Sequence, residues 1–517
     1  MLIIDKPFVI LCDFATLVSS LRDKSKLFSS RFVKNFVFIG LLLLMCCGNN
    51  TLKCNPAIKT VNPTQFGLKK AKTGEERFYV LQRTHEEACR RGIGVSYAGI
   101  KDIYIVIPSN PKSIPLGSYT DFANVTFTVE NKKKDFSLFL LSDSLTSVEV
   151  KGKEIDKHDF SRNPVLKKGN KLLVIEDMTP WVENRIGYNY GATREDIMIV
   201  KGGKCEHGPV QSYCTSASSP ACSYREVDVS AKKIIKNTVF NRTKNSSHKT
   251  RFVTVKNQYN VELSNITINT PEGSGLYGDK AIHIINCSDV VFANIAINGT
   301  YSLPDRYGYG ITLKNTYNVK FYNLYARGNW GVFGNNNVHR AFLKNCDINR
   351  FDIHCYGKDI SFEDCSFVDL YNQFSSVYGL ISFKNCTFTS FTPVLLGHSY
   401  NAYTEFDVRF EKCSFNLDKN HNSIVRFSGF TKQENSRPEL KKKNLPNVTM
   451  IDCAVNMPKG LKKWYVYHTA RAKEYEGSFG NVSKVVIEGL SSPKEGKKME
   501  IFSTNVKTVN KIKVKKQ

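Results

Sequence analysis

The sequence predicts an all-β solenoid, a single-stranded right-handed parallel β-helix, from about Phe252 to the end of the chain. Three observations predict it. A motif of the form Val/Ile-x-Phe/Leu-x-Asn/Asp-apolar recurs along the chain. Its copies alternate apolar and polar residues with period two and are rich in Val, Ile, Phe and Thr. No helical periodicity runs through them, so helical repeats are excluded.

The copies begin with Val261-Glu-Leu-Ser-Asn-Ile266, Val290-Val-Phe-Ala-Asn-Ile295 and Val319-Lys-Phe-Tyr-Asn-Leu324. They continue through Arg340-Ala-Phe-Leu-Lys-Asn-Cys346, Ile360-Ser-Phe-Glu-Asp-Cys365, Ile381-Ser-Phe-Lys-Asn-Cys386 and Val408-Arg-Phe-Glu-Lys-Cys413, with a weaker copy at Val448-Thr-Met-Ile-Asp-Cys453. The final apolar positions are spaced 29, 29, 22, 19, 21, 27 and 40 residues apart. One such unit cannot bury its own inner face, whereas stacked units bury a continuous core. Stacking turns equivalent residues into ladders. The predicted inner ladder reads Ile266, Ile295, Leu324, Cys346, Cys365, Cys386, Cys413, Cys453. Small, readily buried cysteines suit it, so these five are expected as free thiols. Asn265, Asn294, Asn323, Asn345, Asp364 and Asn385 are expected at bends, bonding neighbouring backbone.

Ahead of the repeat, residues 1–47 read as a signal or leader segment, 48–75 as a linker, and 76–250 as a β-rich region of irregular rungs with a short capping helix. Residues 251–517 are the regular β-helix. In the leader, Arg31 and Lys34 precede an apolar run from Phe36 to Cys47, too short to span a bilayer. Export is the expectation, to the cell surface, the periplasm or an outer-membrane lipoprotein anchored through Cys46 or Cys47. Leu44 and Met45 are larger than a lipidation site prefers. Thr84–Arg91 is expected as the capping helix. Ile100–Pro108, Ile114–Val129, Leu138–Lys153 and Asn170–Asp177 are expected as early strands. Asn184–Arg194, dense in Tyr, Asn and Arg, suits a sugar-facing loop or a packed connection. Cys205, Cys214 and Cys222 lack closely paired metal-ligand spacing, so a disulfide is favoured over zinc.

The repeat resembles the right-handed β-helix superfold of pectin and pectate lyases and polygalacturonases. It is also similar to secreted or lipoprotein β-helix proteins of gut Bacteroidetes, most closely at Gly328–Gly334 and Asn349–His354. The resemblance implies a sugar-active or sugar-binding protein. The superfold hosts many chemistries, so function must come from the site.

The formal net charge is +26, and the first 47 residues hold only six basic and three acidic residues, so the excess lies elsewhere. Such a surplus favours polyanions. The expected partner is an acidic polysaccharide or oligosaccharide, bound by a monomer. Nucleic acid is not expected, because no recognised motif for it is present.

Arg350-Phe-Asp-Ile-His-Cys355 carries the candidate chemistry. In a strand Phe351, Ile353 and Cys355 face inward, which places Arg350, Asp352 and His354 together on the outer face. These three are the candidate catalytic residues. Neighbouring rungs offer Arg327, Asn329, Trp330, Asp305, Tyr307, Tyr309, Tyr371, Gln373, His398 and Tyr400 as substrate contacts. An ordinary solvated face with a surface ion pair explains the row as well. A uronate lyase needs a cation on the substrate carboxylate, here Arg350 or Arg327, and a base, here His354. A hydrolase needs a second carboxyl group beside Asp352, from Asp305 or Asp279. The adjacent Asp-Asp, Gly-His-Gly and Arg-Ile-Lys motifs of polygalacturonases are missing, as is the acidic calcium cluster of pectate lyases. No cofactor is expected, though calcium is compatible with the reaction class. Two classes stay open: an acidic-glycan lyase, slightly ahead of a glycoside hydrolase, and a noncatalytic glycan-binding or adhesin-like surface protein.

Overall fold

The computed structural model describes residues 58–182, 192–205, 207–209, 213, 220–271, 280–299, 308–327, 331–375, 377–396, 406–427, 445–469, 484–491, 498–503 and 512–514. The chain from Lys59 onward forms one compact unit. Its body is a stack of parallel strands. Thr250–Asn269 pairs with Lys280–Asn298, which pairs with Tyr309–Ala326, which pairs with Gly331–Lys344. The stack continues through Asp352–Glu363 and Val377–Lys384 to Phe406–Glu411, Asn447–Ile451 and Val485–Glu488.

The corners are built from asparagine. Asn265, Asn294, Asn323 and Asn345 all have φ between 54° and 56°, the left-handed region that Asn tolerates better than other side chains. Their amides bond each other rather than local backbone as the sequence suggested. Asn265, Asn294 and Asn323 Nδ2 each donate to the Oδ1 one rung earlier at 2.8, 2.9 and 2.8 Å. Parallel stacking puts identical residues one above another, so an amide finds its complement in the next copy. A second corner repeats the device with Asn257, Asn286, Asn315 and Asn337, and ends at Tyr356, also at positive φ.

The inner ladders are as expected. Ile266, Ile295 and Leu324 are in register. Cys346, Cys365, Cys386, Cys413 and Cys453 follow them, each 1–2 % exposed and unbridged. Each of the middle thiols donates to a carbonyl of an earlier rung, as Cys413 Sγ does to Phe383 O at 3.3 Å. Phenylalanines stack beside them, with Phe362 and Phe383 ring centroids 4.7 Å apart and Phe383 and Phe410 5.0 Å apart. These separations match the strand spacing of about 4.8 Å.

The helix covering the first rungs runs Gly74–Arg91, beginning ten residues earlier than expected. Thr73 caps it, and Glu76 reaches back to the cap in a capping box. Its buried face carries Phe78, Leu81, His85 and Ala88. Phe78 meets Phe136, and His85 meets Phe139. The helix thereby closes the open end of the core.

The described residues between 146 and 226 are not rungs. Asn170–Val182, of which Asn170–Asp177 was expected as an early rung strand, pairs antiparallel with Ala192–Lys201 and Ala221–Glu226, and Thr146–Val148 pairs with the latter. One face, with Leu173, Ile175, Met198 and Val200, packs on Ile155 and Phe160 of the same insertion. The other, with Leu172, Ile197 and Ile199, packs on Tyr317 of the solenoid. Both faces are covered, so Leu172–Ile175 reads as an unbroken apolar run. Cys222 is buried within the insertion, away from an exposed bridge, and Cys214 lies outside the described residues. Among the described residues no helix is long and apolar enough to cross a membrane.

Candidate functional site

The wall that precedes the second asparagine corner carries the Arg350–His354 row. Phe351 and Ile353 point into the main core, both 0 % exposed. Alternation then places Asp352 on the opposite face, as the sequence predicts. Cys355 is buried as well.

The three candidate catalytic side chains are brought together. Arg350 Nη2 donates to Asp352 Oδ2 at 2.7 Å. His354 Nε2 lies 2.9 Å from the same oxygen. The Tyr309 hydroxyl approaches His354 Nε2 to 3.2 Å from two rungs earlier. With Asp352 ionised, the proton between carboxylate and ring belongs on Nε2, and Nδ1 becomes the basic nitrogen.

The solvation of the row differs from the expectation. Arg350 and Asp352 are 2 % and 0 % exposed, not solvated, while the His354 side chain is 17 % exposed. Neighbouring rungs supply the cover. Gln373 lies in register with Asp352, and its Oε1 accepts from Arg350 Nη2 at 3.0 Å. The Tyr371 ring lies 4.7 Å from the Arg350 guanidinium carbon, a cation–π distance. Asn372, not anticipated, accepts the Phe351 N–H at 2.9 Å and pins the strand. Arg350 is therefore committed to protein partners, and its expected role as a clamp on a substrate carboxylate is withdrawn. It holds Asp352, which in turn holds His354.

His354 owes its position to a bulge. Asn335 pairs with Ile353 and Asn336 with Cys355, so His354 is an extra residue opposite no partner. Such an insertion re-aims one side chain without moving the rest of the strand. The bulge depends on the residue count of two adjacent rungs, which a single motif does not reveal.

The remaining candidates divide. Gln373 joins the cluster. Arg327 is half-exposed and held by Asp347 at 2.6 Å on the preceding wall, apart from Asp352. Asp279, Asn329, Trp330, Asp305, Tyr307, His398 and Tyr400 lie outside the described residues. Among the described residues no group of three or more His, Cys, Asp or Glu side chains is placed to hold a metal ion.

A second buried polar cluster ties the insertion to the solenoid. Asp196, 0 % exposed, accepts from the Tyr213 hydroxyl at 3.0 Å, and His339 Nε2 lies 3.4 Å from its other oxygen. Asn315 and Asn337 donate to the backbone carbonyls of Asp196 and Glu195. The His207 ring stacks on Tyr317 at 3.5 Å. Asp196, Tyr213, Asn315, Tyr317, Asn337 and His339 are buried, His207 and Glu195 are part-buried, and the cluster acts as a fastening.

No family model matches the chain, and no curated protein is similar to it. Solved structures are. The tailspike protein gp49 from Pseudomonas phage LKA1 superposes with a TM-score of 0.54 at 14% identity, over 87% of this chain and 83% of that one. The tailspike gp61 of Pseudomonas phage phi297 superposes with a TM-score of 0.52 at 13% identity, over 86% and 82%. The recurrent parallel pairing and these superpositions agree: the chain has the right-handed parallel β-helix fold.

Proposed function

We propose that this is an exported, polysaccharide-active β-helix protein that cleaves an acidic glycan by elimination, with His354 as the base. The observation that carries the reading is the graded burial of Arg350, Asp352 and His354. A sealed Arg350–Asp352 pair orients a partly exposed imidazole through one carboxylate oxygen. That is how a protein sets the tautomer and orientation of a histidine that must take a proton. A hydrolase is less well supported, because Asp352 is too buried to reach a glycosidic oxygen. The likeness to two tailspikes supports the fold, and the chemistry rests on the site.

The rival reading, a noncatalytic glycan-binding surface protein, is favoured by that same burial, since a covered ion pair also serves as a structural tie. Turnover separates the two. The protein is incubated with polygalacturonate, alginate and glycosaminoglycans, and ultraviolet absorbance of unsaturated product is followed. The parent should release such product, and His354→Gln should slow release by about 10²–10⁴-fold while keeping the parent's melting temperature. Release by His354→Gln at the parent's rate removes His354 from the chemistry. Retention of these polymers without any cleavage decides for the binding protein.

A further inference from the structure

We propose that Arg426 forms a carboxylate subsite on the wall that carries His354, with the Tyr465 and His468 rings beside it. It would seat one uronate unit of an acidic polysaccharide laid along the helix axis. The proposal rests on the reading of that wall as an acidic-glycan site and names a residue that recognises the acidic group, the role withdrawn from Arg350.

The register places Arg426 in line with the candidate site. Asp352 pairs with Gln373, Gln373 with Leu395, Leu395 with Arg426, and Arg426 with His468. The residues one step further along the first four strands, Ile353, Phe374, Leu396 and Phe427, lie in the core at 0–1 % exposure. Alternation therefore turns Asp352, Gln373, Leu395 and Arg426 to the outer face, and register carries His468 with them.

Arg426 differs from the arginines already described. Arg350 is sealed against Asp352, and Arg327 is held by Asp347 at 2.6 Å. Arg426 is partly exposed, and among the described residues no hydrogen bond, ion pair or cation–π contact engages its guanidinium. Glu500, on the following strand Lys498–Phe502, is already taken by Lys463 at 2.8 Å and Lys498 at 3.5 Å. A planar, permanently charged fork with its donors to spare matches a carboxylate in bidentate fashion.

The neighbours suit a sugar ring that carries the acid. Leu395, partly exposed, supplies an apolar side. On the other side the Tyr465 and His468 rings stack with centroids 5.4 Å apart, and both are partly exposed. Burial and then Arg426 hold His468 below the ordinary histidine value, so a neutral imidazole stands beside the guanidinium. Apolar and aromatic sides around one charged group are the make-up of a ligand site. Three rungs separate Asp352 from Arg426, a rise of about 14 Å. The subsite therefore holds a sugar remote from the reacting bond, and it contributes to retention of the polymer more than to the chemical step.

The test reads binding without turnover. The full chain carrying His354→Gln is titrated with polygalacturonate, alginate, dextran sulfate and single-stranded DNA. It is compared with the same chain carrying in addition Arg426→Gln, Arg426→Lys or Lys384→Gln, the last an exposed lysine outside the row. Arg426→Gln should weaken binding of a uronate polymer roughly ten-fold or more, Arg426→Lys should weaken it less, and Lys384→Gln should leave it within about two-fold. No loss with Arg426→Gln, an equal loss with Lys384→Gln, or a loss as large with Arg426→Lys overturns the subsite. So does an equal loss with dextran sulfate or DNA, or no binding of either uronate polymer. Because every arm lacks the proposed base, these outcomes stand apart from failure of the His354 chemistry, which shows as undiminished turnover in His354→Gln.

Discussion

Arg350 Nη2 donates to Asp352 Oδ2 across 2.7 Å, and both side chains are sealed from water by the next rung. A buried ion pair contributes little net stability against an apolar pair of the same shape, yet removing one partner strands the other. Arg350→Met is expected to lower unfolding free energy by about 3–5 kcal/mol, and Arg350→Met/Asp352→Leu should recover much of that loss. Denaturant titration of both variants checks it. A single variant within about 0.5 kcal/mol of the parent would show that the pair is not desolvated as described.

The asparagine corners should be measurable one residue at a time. Asn315 has φ 51°, donates to Asn286 Oδ1 at 3.0 Å and accepts from Asn337 at 2.9 Å. Asn315→Ala loses the ladder bonds and adds left-handed strain, so it should destabilise by about 2–4 kcal/mol. Asn315→Gly loses the bonds without the strain and should be about 1–2 kcal/mol less harmful. If alanine and glycine prove equal by chemical denaturation, the backbone conformation does not matter there.

The capping helix should loosen in acid. His85 is fully buried, its Nε2 lies 2.8 Å from the Tyr97 hydroxyl, and burial pushes its pKa down to about 3. A histidine depressed in the folded state is protonated first in the unfolded chain. Its contribution is complete above the unfolded value near 6.5 and is lost as pH falls toward 3. The parent should lose stability through that window by up to about 1.4 kcal/mol per pH unit from this group. His85→Gln should show a shallower slope in denaturation curves recorded across it. Identical slopes would mean that His85 is charged, or exposed, in the native state.

Thiol chemistry offers a direct view of the core. Cys346, Cys365, Cys386, Cys413 and Cys453 are buried, while Cys89 is exposed on the capping helix. An aromatic disulfide reagent should label Cys89 in the native protein and reach the ladder only after denaturation. Mass mapping of labelled peptides reports which sulfur reacted. Rapid native labelling of Cys386, in mid-ladder, would contradict the stacked core.

What could be read from the chain followed from stacking. Ile266, Ile295, Leu324 and the five cysteines form a ladder because a repeated motif, once it stacks in parallel, must place equal residues in register. The opposition of Phe351 and Ile353 to Asp352 followed from the period of a strand. Other features were present but passed over: Thr73 and Glu76 spell the capping box that starts the helix at Gly74.

The sequence by itself determined the solenoid, its inner ladders and the shared face of Arg350, Asp352 and His354, because periodicity is a local property that stacking simply repeats. Only the tertiary structure decided that Leu172–Ile175 belongs to an antiparallel insertion, that Gln373 and Tyr371 close over Arg350, and that a bulge singles out His354. Those outcomes depend on which segments become neighbours and how many residues each rung spends between corners. No single strand carries that information, so burial, and with it the division of roles within the site, emerges only when the rungs are laid together.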